Sequence, residues 1–139
     1  MLAAVAGART VLDGTLGGGG HTAAFVDAGM RVVALDRDPE ALAAAGTRLA
    51  AAVADGRVTL VRGNYADVAT LPALAGVVVD AVLLDLGVSS HQLDDDARGF
   101  SFRPGAPLDM RMGDEPLDAA ALLNDTDART LAAWFRDYG

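Results

Sequence analysis

Residues 13–22 read DGTLGGGGHT. Each of the four consecutive glycines, Gly17 to Gly20, raises the backbone entropy lost on folding, so no ordinary element gathers them. The run follows a short apolar segment, Thr10–Leu12, that ends in Asp13, and it precedes a helix-forming stretch over about residues 22–28. In an open parallel sheet, the turn from first strand to helix is where backbone meets a ligand beyond the strand ends. A turn that serves only to reverse direction needs one or two glycines. The run does not by itself separate a dinucleotide from another nucleoside cofactor.

Strand, turn and helix then recur. Arg31–Leu35 ends in Asp36, Val58–Val61 ends near Gly63 and Asn64, and Val77–Leu86 contains VDAVLLDL. Helices are expected over Pro39–Ala54, where Pro39 suits the first turn, and over Tyr65–Leu74. Nearly all-apolar strands alternating with helices predict an α/β fold, a Rossmann-like parallel sheet of about four strands with helices on both faces. The strand ends then deliver polar groups to one rim. Asp36 is placed to accept hydrogen bonds from both ribose hydroxyls of a nucleoside, with Asp38 as the better helix cap. Tyr65 is placed to stack on a base, Asp67 to accept from an adenine amine, and Asp85 joins the rim from the fourth strand. The constellation resembles the class I S-adenosylmethionine-dependent methyltransferases. A nicotinamide-dependent oxidoreductase domain is the minority alternative, because G-x-G-x-x-G is only loosely matched.

The chain has 139 residues, 52% of them hydrophobic and 22% charged, which suits one globular domain. No apolar run approaches the roughly 18 residues of a membrane span, and the start has neither a basic leader nor a long apolar core. With no cysteine, disulfides and thiolate metal sites are excluded, and His21 and His91 leave little for zinc, so no metal is expected. A cytoplasmic enzyme domain is expected. The net charge is −8, and all 11 basic residues are arginine. That balance exerts no broad pull toward nucleic acid, so a nucleic-acid partner would be read locally.

Residues 85–112, DLGVSSHQLDDDARGFSFRPGAPLDMRM, form a long motif-rich connection that no periodicity generates. Together with DGTLGGGGHT, ALDRDPEAL and GNYAD, in order and spacing, this segment resembles the MraW family, also written RsmH, over essentially the entire chain. The resemblance implies an S-adenosyl-L-methionine-dependent methyltransferase acting on the N4 amine of a cytidine in small-subunit ribosomal RNA. It places the cofactor contacts on Gly19, Gly20, His21, Asp36, Tyr65, Asp85 and Gln92. Asp85, or the backbone and hydroxyls of the Gly87–Ser90 turn, is the candidate hydrogen-bond acceptor for the amine. Arg98, Arg103 and Arg111 are candidate RNA contacts, with Phe100 or Phe102 stacking on an extruded base. A loop that buries both aromatics, with Asp109 pairing to an arginine, is an equal reading. Gly18 stands where the family usually has a basic residue, and His91 where it has proline.

The resemblance divides the chain into a partial methyltransferase core, residues 1–116, and the start of a helical insertion, residues 117–139. It also implies an N-terminal portion of a longer enzyme. In the family's strand order, 3-2-1-4, the apolar fourth strand would stand at an edge and invite cover from further chain or a second copy. A non-catalytic cofactor-binding module is the competing function. The acidic run Asp94–Asp96 is expected as a solvated first helical turn. Leu131, Trp134, Phe135 and Tyr138 share one stripe of a C-terminal helix and are expected in the core.

Overall fold

A computed structural model describes the backbone of residues 1–139 and every side chain except that of His91. The chain divides into two compact units, residues 1–89 and 90–139. The first is built on four strands, β1 (Thr10–Asp13), β2 (Arg31–Asp36), β3 (Val58–Arg62) and β4 (Ala81–Leu83). All pairings are parallel and the order is β3-β2-β1-β4, as expected. The register sets Leu12 beside Val33 and Val82, and Asp36 beside Arg62.

Helices α1 (Gly20–Asp27), α2 (Pro39–Arg48) and α3 (Ala50–Ala54) pack on one face of the sheet. There Val11, Phe25, Val32, Ala34, Ala45 and Leu49 make the main core. The opposite face holds Leu12, Val33, Leu35 and Val61 beneath Val68, Leu71 and Leu74. β2 is buried on both faces from Val32 to Leu35, which is why its run VVAL is apolar without alternation. Burial of these strands fixes the register, since a one-residue slip would exchange the two faces.

Three expected elements differ in detail. The helix over 39–54 divides at Leu49, which leaves helical geometry at φ −100° and ψ 13° while staying buried. The stretch 65–74 forms two single 3-10 turns, Tyr65–Asp67 and Pro72–Leu74. Proline has no N–H and disfavours helix in the residue before it, and Leu71 is extended at ψ 119°. Of Val77–Leu86 only Ala81–Leu83 is strand, because β1, its ladder partner, is four residues long. Val82 is 55% exposed and Leu86 66%, so β4 is an open apolar edge.

The second unit contains α4 (Ser90–Asp94), a 3-10 turn Asp96–Arg98, α5 (Ala119–Asp125) and α6 (Ala128–Tyr138). Asp118 and Asp127 cap α5 and α6 by accepting from Ala121 N–H and from Arg129 and Thr130 N–H. The acidic run meets the expectation in part: Asp95 caps the 3-10 turn and the exposed Asp96 lies in its first turn, paired with Arg103 at 3.1 Å, whereas Asp94 ends α4. The aromatic stripe of α6 also differs, with Phe135 65% and Tyr138 87% exposed. A seven-residue α5 and the irregular loop before it supply no layer wide enough to bury that stripe within the unit. No helix among the described residues is long and apolar enough to cross a membrane.

Candidate cofactor and transfer site

The carboxyl ends of β1, β2 and β4 and the start of α1 meet around the glycine run. Asp13, the last residue of β1, is fully buried. Its Oδ2 accepts from the Thr22 hydroxyl at 2.7 Å and its Oδ1 from Thr15 N–H at 3.2 Å. Burial pushes its pKa above the usual carboxylate value, against the two hydrogen bonds and His21, with Asp36 adding to the rise. A raised carboxyl pKa means the ionised form costs stability at neutral pH, a cost relieved as pH falls through that pKa. Sequence reasoning passed over Asp13 as a strand end. The available signal was hydroxyl residues at both borders of the glycine run, Thr15 and Thr22.

The four glycines are not equivalent. Gly17 and Gly19 have positive φ, +50° and +75°. Gly19 is buried as the cap of α1, and a Cβ there would lie 3.1 Å from Leu49 Cδ1 and 3.2 Å from Ala45 Cβ. Gly18 and Gly20 are exposed, without positive φ, and a Cβ on either meets nothing within 4 Å. The protein's own packing therefore explains Gly19 and leaves Gly18 and Gly20 unexplained. Gly14, which sequence reasoning did not single out, is closely packed: a Cβ there would fall 2.5 Å from the flexible end of the part-exposed Leu84 and 3.2 Å from Tyr65 Cβ, so those side chains would have to shift. Replacing Gly19 by alanine should cost about 1–3 kcal/mol, from the left-handed backbone and the contact with α2. Gly20→Ala should cost nothing measurable, and paired thermal unfolding curves check both.

Asp36, half-buried at the end of β2, accepts from Gly17 N–H at 2.8 Å and from Asp38 N–H at 3.0 Å. It thus holds the glycine loop against the sheet, while each oxygen keeps capacity for another donor. Asp38 caps α2 by accepting from Glu40 N–H, as expected. Arg48 Nη1 donates to Gly18 O at 3.2 Å from the far end of α2. Tyr65 begins the turn after β3 and is 41% exposed. Asp85 follows β4; its Oδ2 lies 3.7 Å from His21 Nδ1, with both side chains largely open to solvent.

The structure thus brings Gly19, Gly20, His21, Asp36 and Asp85 to one end of the sheet, with Tyr65 beside Gly14. Gln92 lies in α4 of the second unit, where it is buried. In that unit Asp109 and Arg111 form a two-pronged pair at 2.7 and 2.9 Å, and the guanidinium holds the Asp109 carboxyl down to about 2. Arg98 Nη2 donates to Arg111 O at 3.0 Å. Phe100 is half-buried and Phe102 fully exposed, so the loop does not bury both aromatics. Among the described residues no group of three or more His, Asp or Glu could hold a metal.

The glycine-loop geometry coincides with a family match across residues 2–139, to the model described as the MraW methylase family. The chain belongs to the MraW methylase family. It is 56% identical over 135 residues to the ribosomal RNA small subunit methyltransferase H of Gemmatimonas aurantiaca, covering 96% of this chain and 43% of that protein. Against the protein of the same name from Heliobacterium modesticaldum it is 52% identical over 134 residues, covering 92% and 42%. This MraW-family chain therefore spans about two fifths of the length of the curated relatives it matches. Its fold is similar to the C-terminal domain of precorrin-6Y C5,15-methyltransferase from Rhodobacter capsulatus. There the TM-score is 0.51 at 23% identity, over 76% of this chain and 55% of that one.

Proposed function

We propose that this chain carries the S-adenosyl-L-methionine site of a methyltransferase that acts on the N4 amine of a cytidine in small-subunit ribosomal RNA. The observation that carries the reading is the glycine run. Gly18 and Gly20 leave open space that no packing or backbone demand explains, in the loop whose Gly17 N–H is held by an aspartate with spare acceptor capacity. Asp36 suits a ribose diol, Tyr65 a base, and the side-chain-free surface at Gly18 and Gly20 a methionine tail, so these residues fit the cofactor. The small-subunit ribosomal RNA reading is drawn from the names of the relatives.

Bound S-adenosylmethionine would supply an electrophilic methyl on sulfur. The chain's own residues must orient a cytosine amine whose lone pair is delocalised into the ring, and positioning of this kind supplies much of a transfer rate. The Asp85 carboxylate is the acceptor that localises that lone pair by taking a hydrogen bond from the amine, with the His21 imidazole 3.7 Å away at the same rim. Arg98, Arg103 and Arg111 are assigned to the RNA; each already has a partner within the second unit, which fixes it in place. Phe102 is the better-exposed stacking residue.

Calorimetric titration of the protein as it occurs, full chain, with S-adenosylmethionine tests the cofactor reading. Saturable binding is expected, weakened about tenfold or more by Gly20→Ala at unchanged thermal midpoint, because a methyl group then occupies the contact surface. Absence of binding by the folded protein would reject the reading. Methyl transfer to small ribosomal subunits by Asp85→Asn tests the acceptor. A rate lowered about 100-fold at saturating cofactor is expected for a lost general acid–base or acceptor group; a retained rate removes Asp85 from the chemistry.

A further inference from the structure

Beyond the last ladder bond between β1 and β4, where Gly14 N–H donates to Leu83 O at 2.9 Å, the two chains turn apart. β1 enters the glycine loop and β4 enters the turn that carries Asp85. Thr15 bridges the gap. Its Oγ1 accepts from Asp85 N–H at 2.7 Å, and its own N–H donates to the buried Asp13, 3.2 Å away. Asp13 in turn holds the Thr22 hydroxyl in the first turn of α1. One line of hydrogen bonds thus runs from α1 through the end of β1 to the main chain of Asp85.

The direction of that line matters because Asp85 has little else to hold its side chain. The carboxylate is mostly solvent-exposed and its contact with His21, at 3.7 Å, is loose. An exposed pair at that distance contributes little and fixes no geometry. A short bond to the peptide N–H fixes the Cα from which the carboxylate projects. His21 precedes Thr22, so the same buried Asp13 also orients the helix start that carries the imidazole.

We propose that Thr15 is a positioning residue for the transfer step: its hydroxyl holds the Asp85 main chain, and so the carboxylate, where the methyl acceptor meets it. The proposal rests on the methyltransferase reading above for its kinetic consequence, and on the geometry alone for its structural one.

Two variants of the full natural chain separate these. Thr15→Val keeps the shape and removes the acceptor; Thr15→Ser keeps the hydroxyl. Amide hydrogen exchange at Asp85 is expected to speed about tenfold in Thr15→Val, the equivalent of one net hydrogen bond, and to remain near wild type in Thr15→Ser. With small ribosomal subunits as substrate, Thr15→Val should lower kcat about tenfold or more while the calorimetric affinity for S-adenosylmethionine changes less than about threefold. Thr15→Ser should restore kcat to within about threefold of wild type. Unchanged exchange at Asp85 in Thr15→Val overturns the proposal whatever the activity. Faster exchange with an undiminished kcat overturns the positioning role, as does a serine variant as slow as valine. If the wild type exchanges as expected yet neither binds the cofactor nor transfers methyl, the functional reading fails and the Thr15 bond stands as architecture, which overturns its catalytic part.

Discussion

Asp36→Ala is expected to weaken S-adenosylmethionine binding about 100-fold or more, read by calorimetric titration against the wild-type chain. The substitution removes two charged acceptors, and a hydrogen bond to a charged group contributes about 1.5–3 kcal/mol. It also frees Gly17 N–H and Asp38 N–H, the two donors that the carboxylate now holds. The glycine loop therefore loses its tie to the end of β2 at the same time as the ribose contact proposed for Asp36 is removed. Asp36→Asn divides the two contributions: its single carbonyl oxygen serves one donor, and its NH₂ faces another donor. An intermediate affinity is expected. Wild-type affinity in Asp36→Ala would show that this carboxylate braces the loop and touches no ligand.

Phe25→Ala should destabilise the fold by about 3–5 kcal/mol, the usual loss for a buried phenylalanine. Phe25 is fully buried on α1, in one cluster with Val11, Leu16, Val32 and Leu49. Because a domain of this size is stable by about 5–15 kcal/mol, this single change takes a large share of it. Urea unfolding followed by circular dichroism measures the shift in midpoint. The consequence reaches the site, since α1 begins with Gly20, His21 and Thr22 and its inner face is anchored by Phe25. A loss below about 1 kcal/mol would mean that α1 is not packed on the sheet as described.

Both predictions draw on features that differ in how far the sequence discloses them. The β2 strand was legible because four consecutive residues, VVAL at 32–35, are apolar without alternation, and only a strand covered on both faces demands that. Asp36 was legible because a strand that ends in a carboxylate before an Asp-Pro helix start has a cap to spare. The Asp13 network was not. DGTLGGGGHT brackets the glycines with two hydroxyl residues, yet it does not say that its first residue is sealed under Thr22, because that contact depends on α1 folding back over the end of β1. The α6 stripe misled for a related reason: a helical pattern reports which residues share a face and is silent on whether anything is there to cover it. Likewise the ten apolar-rich residues of Val77–Leu86 contain three residues of strand, since ladder length is set by the partner.

The sequence by itself determined the parallel α/β fold, the polar residues at its strand ends and, through long motifs, the family. Local periodicity and turn chemistry carry those, and each is written in neighbouring residues. The tertiary structure alone decided which glycines serve the fold and which face outward. It decided as well that Asp36 holds the loop, that Asp13 is buried, and that Thr15 ties Asp85 to β1. These depend on distances between residues as many as 70 positions apart, and the chain closes those distances only when the sheet and α1 pack together.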